Sequence, residues 1–299
     1  MAVVEEVAIS QQEFSEGYIL ARKRKAARDI TIKTLTYIAL SVIGVSMLIP
    51  LLWMLSTSLK EPGAVFSSSM QWIPNPVVWQ NYVEAWNAQP FGRFYLNSIF
   101  VGAMVTIGQV VTSSMAAYAF ARLEFPGRDK LFFAYLATMM IPGAVTMIPQ
   151  FILVRKLNWV DTYWALILPG LFSAFGTFML RQFFMTLPRD LEEAAKIDGC
   201  SLFGIYWKII MPLSMPALAT LTTMTFMGSW NNFMWPLIVT NSLEMKTLPI
   251  GLQAFQGQFS VEWTLLMAAS LFTLLPVIVV FLAGQRYFVE GIQMGAIKG

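Results

Sequence analysis

Histidine is absent from this chain of 299 residues, and Cys200 is its only cysteine. Without histidine the chain cannot form a Ser-His-Asp triad, a histidine-containing zinc site or an imidazole proton relay. A single cysteine cannot form an internal disulfide or a CxxC pair. Redox and metal chemistry are therefore not expected, and we predict no cofactor in this chain.

Charged residues are also scarce, at 12% of the chain, while 57% of the residues are hydrophobic. Soluble domains usually contain about a quarter charged residues, so this composition indicates an integral membrane protein. The net charge of +3 is small and the basic residues are scattered. The sequence therefore shows no footprint for nucleic-acid binding.

Six stretches contain no Asp, Glu, Lys or Arg, and each is long enough for a membrane-crossing helix of about 20 residues. Pro212 and Pro216 place the start of the fifth span near residue 217. The sequence predicts an all-α integral membrane fold with six transmembrane helices. Their expected limits are about 34–59, 95–121, 131–154, 162–182, 217–240 and 263–285.

The basic residues also predict the orientation of the chain. Alternate flanks of the six spans contain fifteen and five of the twenty Lys and Arg residues. Cytoplasmic flanks carry the positive excess, so both termini are expected in the cytoplasm. We predict a cytoplasmic tail at 1–30, either a short helix or disordered, a six-span domain at 31–289, and a cytoplasmic tail at 290–299.

The predicted spans lack the groups that ion-coupled transporters and pumps use. Such proteins place Asp, Glu, His or Arg inside the bilayer because these residues bind or relay ions there. The chain also lacks GxxxxGK[ST], the loop that holds nucleotide phosphates. A solute that moves through this chain must therefore pass passively or with energy from another polypeptide. We do not expect a membrane enzyme.

Uncharged polar residues occur in the spans and suggest a solute pathway. Asn231 and Asn232 are adjacent amides flanked by Trp230 and Trp235, and Gln109 lies in the second span. Amides beside flat aromatic faces suit an uncharged, hydroxylated solute such as a sugar. Hydrogen bonding between helices is the alternative explanation. Adjacent helical residues point about 100° apart, so at most one of the two amides can face a pore squarely.

The most specific signal lies between spans four and five. Pro188, Asp190 and Glu192 mark the start of a short helix, and Gly199 marks its end. Four residues share one face of this helix at the spacing i, i+3, i+4 and i+7: Leu191, Ala194, Ala195 and Asp198. A second, largely apolar helix is predicted from a Ser201 cap to Pro212, lying under the bilayer.

This segment resembles the EAA loop of ABC-importer permeases. The family pattern is Glu-Ala-Ala, three residues, Gly, nine residues, and Ile-x-Leu-Pro. The matching residues here are Glu193, Ala194, Ala195, Gly199, Ile209, Met211 and Pro212. Met211 in place of Leu is the one departure, and this swap conserves volume. Over residues 32–299 the chain is similar to the carbohydrate-importer branch, and within it to the smaller permease subunit of the maltose type.

The resemblance implies an assembly in the bacterial cytoplasmic membrane. Its other members would be a second homologous permease, two ATP-binding cassette ATPases that bind ATP and Mg, and an extracytoplasmic solute-binding protein. This chain would catalyse no bond chemistry. The residues expected to couple it to an ATPase are Leu191, Glu193, Ala194, Ala195, Asp198 and Gly199.

Two other functions stay open at this point. The same architecture could import glycerol phosphate, another osmolyte or a polyamine, although an anion would favour basic groups that the spans lack. A channel or facilitator could work alone. Such a protein has no use for a helix-Gly-helix element, so it should tolerate replacement of Glu193 and Gly199.

Overall fold

The computed structural model describes residues 2–66, 71–257 and 261–296. These residues form helices and turns, apart from an isolated bridge between Gln256 and Val261. The α-helices are α1 Ala2–Ser58, α2 Gln80–Asn87, α3 Phe91–Arg122, α4 Arg128–Ala137, α5 Gly143–Lys156, α6 Tyr163–Ile167, α7 Ala174–Phe184, α8 Asp190–Ile197, α9 Leu202–Ile205, α10 Met211–Leu213, α11 Met215–Trp230, α12 Met234–Val239, α13 Leu248–Gln253 and α14 Trp263–Ala296.

The all-α membrane fold is confirmed. Four of the described helical segments are long and apolar enough to cross a membrane: Arg28–Ser58, Phe91–Arg122, Tyr163–Phe184 and Trp263–Gln285. Two bent pairs of helices pass the same test, and each pair counted as one span brings the total to six. The sequence therefore indicated that the chain contains about six apolar segments of this kind, but it did not show where their helices break.

The chain divides into two compact units, of which the first is residues 1–56 with 71–73. This unit contains most of the long helix α1, which continues without interruption through the predicted tail and the first span. The tail is thus helical from Ala2. From residue 28 to residue 50 the side chains of α1 are exposed, and most of them are apolar after residue 34, as expected for a surface that lipid or another helix covers.

The second unit contains the remaining spans, and the third span of the chain is sharply bent. α4 and α5 meet at an angle of 98°. Ile141 between them is extended, with φ −85° and ψ 115°. A residue before proline disfavours the helical conformation, and Pro142 has no N–H for the helix ladder. The dipeptide Ile141-Pro142 therefore ends one helix and redirects the next.

The predicted span at 217–240 is not a single helix. α11 ends at Trp230 and α12 begins at Met234. The amide of Asn231 donates to the Met227 carbonyl at 2.9 Å, and the Asn232 Oδ1 accepts the Trp235 N–H at 3.4 Å. The backbone N–H of Asn231 also donates to the Met227 carbonyl, at 3.1 Å, so the side chain adds a second bond at the helix end. The two residues therefore mark a helix break and do not lie in the middle of a span. The fourth span is also interrupted, between α6 and α7.

The second span, α3, is the central helix of this unit and packs against α7 and α11. Gly176 permits the close approach of α7. A Cβ at this position would lie 2.8 Å from Ser113 Oγ and 3.2 Å from Leu221 Cδ1, closer than side chains normally approach. A buried apolar cluster at one end of the unit joins α3 and α7 to the segment after α7.

The C-terminal residues do not form a separate tail as far as the structure describes them. α14 runs past the predicted span limit at 285 and continues to Ala296. The rest of the predicted tail, residues 297–299, lies outside the described residues.

Candidate functional site

The segment from Asp190 to Leu213 forms the helix-turn-helix element that the sequence predicted, and we call it the coupling segment. α8 begins at Asp190, where three acidic residues complement the positive helix N-terminus. It ends before Gly199, whose φ of +78° lies in the left-handed region. Glycine reaches this conformation without the steric cost of a Cβ, so the chain can turn sharply here.

The second half of the segment starts at the predicted cap. The Ser201 hydroxyl oxygen accepts the N–H of Gly204 at 3.1 Å. α9 leads into a π-helical turn, Tyr206–Ile210, and then into α10. Pro212 does not end this helix, because α10 continues to Leu213 and the 79° bend to α11 follows at Ser214.

The predicted four-residue face of α8 is divided by the fold. Ala195 is 7% exposed and belongs to the buried cluster with Leu180 and Phe184. Leu191, Ala194 and Asp198 are exposed, as are Glu193, Gly199 and Ile197. The outward surface of α8 therefore excludes Ala195 and includes Ile197, which is 86% exposed. Residues three or four apart share one face of a helix, so the face of α8 that contains Glu192 and Ala195 is buried against the core.

A cavity of about 740 Å³ lies among α3, α5, α7, α11 and α12. None of the described residues that line it is charged. Its polar lining consists of Gln109, Gln150, Thr225, Ser229 and Asn232. Phe175 and Trp235 add aromatic faces. Amides and hydroxyls beside flat apolar surfaces can bind a neutral hydroxylated molecule in a defined orientation.

The structure brings three of the five predicted pathway residues into this cavity and leaves two outside. Gln109, Asn232 and Trp235 line it. Asn231 is exposed elsewhere, and Trp230 is 2% exposed in an aromatic cluster. The Trp230 indole stacks on Phe226 and donates to the Thr273 carbonyl at 3.1 Å. Trp230 is therefore placed as a core residue. Of the two adjacent amides, only Asn232 lines the cavity.

Sequence reasoning missed Gln150, which lines the cavity from α5. The sequence did offer a signal for Gln150, because it is an amide inside a charge-free span, as Gln109 is. The alternative explanation, hydrogen bonding between helices, applies to part of the polar set. Thr112 donates to the Leu171 carbonyl, and Gln109 Nε2 donates to Thr225 Oγ1 at 2.9 Å. Gln109 thus joins α3 to α11 while it lines the cavity.

Comparison with known proteins decides the family. Residues 109–293 match the family model described as binding-protein-dependent transport system inner membrane component. The chain belongs to this family. The matched region contains both the coupling segment and the residues that line the cavity from α5, α7, α11 and α12. The protein is accordingly a multi-pass inner membrane permease that works in a binding-protein-dependent ABC transporter.

Individual permeases resemble the chain over most of its length. The arabinooligosaccharides transport system permease protein AraQ of Bacillus subtilis is 37% identical over 269 residues, which cover 89% of this chain and 95% of AraQ. The sn-glycerol-3-phosphate transport system permease protein UgpE of Yersinia pestis is also 37% identical, over 84% of this chain and 92% of UgpE.

A solved structure supports the permease fold. It is a bacterial ABC transporter involved in the import of the acidic polysaccharide alginate. Its matching chain superposes with a TM-score of 0.78 at 24% identity and covers 87% of this permease and 97% of its own length. At this identity the similarity shows the fold alone.

Proposed function

We propose that this permease carries a sugar, an oligosaccharide or a related polyol across the cytoplasmic membrane, driven by ATP hydrolysis in separate subunits. The observation that carries this proposal is the combination of an uncharged cavity with a short helix, α8, whose outer surface the rest of the chain leaves exposed. The chain supplies the passage and the mechanical connection, and partner ATPases bind ATP and Mg.

The coupling role is supported by the geometry of α8. Glu193, Ala194 and Asp198 are exposed on a helix that the chain itself leaves partly uncovered. Small side chains allow close approach by another surface, and the Glu193 carboxylate can accept a charge-assisted hydrogen bond from a cationic partner. We infer that this surface binds one ATPase of a pair. A second homologous permease would complete the pore, and an extracytoplasmic binding protein would deliver the solute.

The choice of a neutral solute is supported by the lining of the cavity. Gln150 and Asn232 offer both donors and acceptors, which match sugar hydroxyls. Glycerol phosphate is the second candidate, because relatives such as UgpE carry that name. A phosphate normally binds Arg, Lys or a helix N-terminus, and the described lining offers no cationic side chain. We therefore prefer a neutral sugar to glycerol phosphate as the solute.

The proposed orientation follows the positive-inside rule. Both termini and the coupling segment face the cytoplasm, where the ATPases are. Lys196, Lys208 and Arg189 then lie on the cytoplasmic side with most of the other basic residues.

The test of this function is Glu193→Lys in the transporter purified from membranes. The charge reversal opposes a contact at which truncating one buried partner costs about 2–5 kcal/mol, so the ATPases should dissociate and uptake should stop. Lys196→Glu is the matched control, since it reverses an exposed charge on the same helix. Retention of the ATPases with full sugar uptake by Glu193→Lys would contradict the coupling role, and a stand-alone facilitator would behave in that way.

A further inference from the structure

Three polar residues form a row on one face of α3, and we call Ser114, Tyr118 and Arg122 the α3 polar row. They are spaced by four residues, so their side chains lie one above the other on the helix. The rest of this part of α3 is apolar or small. A polar row in a membrane helix needs partners inside the protein, because lipid offers none.

Every member of the row contacts the coupling segment. The hydroxyl oxygens of Ser114 and Tyr206 are 2.8 Å apart. The Tyr118 hydroxyl donates to the Leu202 carbonyl at 3.3 Å. The Nε of Arg122 lies 3.0 Å from Oε1 of Glu192. Tyr206 lies in the π-helical turn, Leu202 in α9 and Glu192 in α8. The row therefore contacts the coupling segment at three separate places.

The ion pair of the row is shielded from water. The Arg122 and Glu192 side chains are only 3% and 7% exposed. A buried charge that loses its partner is strongly unfavourable, so the two groups must move together. The guanidinium Nη2 also donates to the carbonyls of Phe184, the last residue of α7, and of Leu187, three residues later. One arginine therefore ties α3, the end of α7 and α8 together.

A second arginine strengthens the same end of the unit. Arg181 of α7 donates to the Phe120 carbonyl of α3 at 3.2 Å and stands 4.1 Å over the ring of Phe132 in α4. Its Nη2 is 3.7 Å from the Asp129 carboxylate. The ends of three spans are thus linked to each other as well as to the coupling segment.

We propose that the α3 polar row is the mechanical link through which movement of the coupling segment reaches the second span. Glu192 and Arg122 act as positioning residues, since they lie inside the chain and not on the ATPase-facing surface formed by Glu193 and its neighbours. α3 carries Gln109 about three and a half turns away from Arg122, so a shift of this helix changes the cavity directly. The proposal rests on the coupling function proposed above.

The deciding experiment uses the complete transporter in lipid vesicles with its binding protein and sugar. ATP hydrolysis and sugar uptake are measured on the same vesicles for Glu192→Gln and for Tyr206→Phe, which removes a single hydroxyl. The sugar moved per ATP hydrolysed should fall about fivefold or more, the lower range of coupling between distant sites. The ATPases should remain bound. Glu124→Gln, the same change at an exposed position on the same side, is the matched control.

A double variant separates a mechanical link from simple stabilisation. Arg122→Met with Glu192→Met removes both buried charges and leaves neither unpaired, so the complex should assemble better than with either single change. If the row is a mechanical link, the amount of sugar moved per ATP hydrolysed should stay low in this double variant. Full recovery of the ratio, or an unchanged ratio in Glu192→Gln, would overturn the proposal. Because Glu193→Lys tests ATPase binding separately, failure here leaves the proposed function intact.

Discussion

Asn231 and Asn232 have the same side chain and adjacent positions, yet the fold gives them different surroundings. Asn232 lines the cavity, whereas the Asn231 amide bonds to its own helix at Met227. Asn232→Ala should reduce sugar uptake about tenfold, because a lost hydrogen bond to a solute costs about 1–1.5 kcal/mol. Asn231→Ala should leave uptake near the normal level. Vesicle uptake kinetics measure both, and equal loss in the two variants would remove Asn232 from the pathway.

A second residue, Asp161, holds the loop before α6 to the segment that follows α12. Its Oδ1 accepts the N–H groups of Asn241 and Ser242 at 2.9 and 3.0 Å. Burial opposes ionisation, but these hydrogen bonds prevail and lower the pKa of Asp161 below its ordinary value of 3.8. The folded state therefore gains stability from the charge above that pH, and the gain is lost as the pH falls through the lowered pKa.

Asp161→Asn tests this charge, because asparagine has nearly the same size and shape as aspartate and tolerates the positive φ of 63° at this position. At pH 7 the variant should be less stable than the natural protein by about 1–2 kcal/mol, because hydrogen bonds to a charged group are replaced by bonds to a neutral one. Thermal unfolding in detergent should show this difference shrinking below pH 4. A difference that stays constant down to pH 3 would show that charge is not its cause.

At the scale of elements, the turn after α8 depends on Gly199. A Cβ at this position would meet no described heavy atom within 4 Å, so a substitution acts through the backbone and not through a clash. The left-handed conformation costs a β-branched residue about 1–2 kcal/mol or more, and asparagine tolerates it better. Gly199→Val should lower sugar uptake more than Gly199→Asn. Equal effects of the two changes would mean that partner contact, and not the turn, requires glycine.

The coupling segment could be predicted from sequence because its signals are local. Pro188, Gly199 and the Ser201 cap each act within a few residues of their own position, and the observed helix limits agree with them. The helix breaks could be predicted less well. At Asn231 the backbone N–H and the side-chain amide both donate to the Met227 carbonyl, and composition alone does not show that the chain leaves the helix there.

Other features depend on packing between elements distant in the chain. Trp230 and Trp235 look alike in sequence, but Trp230 is held in the core by Phe226 and the Thr273 carbonyl. Likewise Ala195 faces the core only because α7 and α9 cover it. Burial of Glu192 was not predicted, since its partner Arg122 lies 70 positions earlier. Contacts of this range leave no pattern in a single sequence.

For the whole molecule, the uncharged cavity and the six charge-free stretches have an electrical consequence. A charge that crosses the membrane responds to the potential by about 2.3 kcal/mol per 100 mV. The six charge-free stretches carry no such charge through the field when they move, and a neutral sugar adds none. Uptake should therefore run at the same rate at 0 mV and at about −100 mV imposed by a potassium gradient with valinomycin. Strong slowing at negative internal potential would instead indicate an anionic cargo.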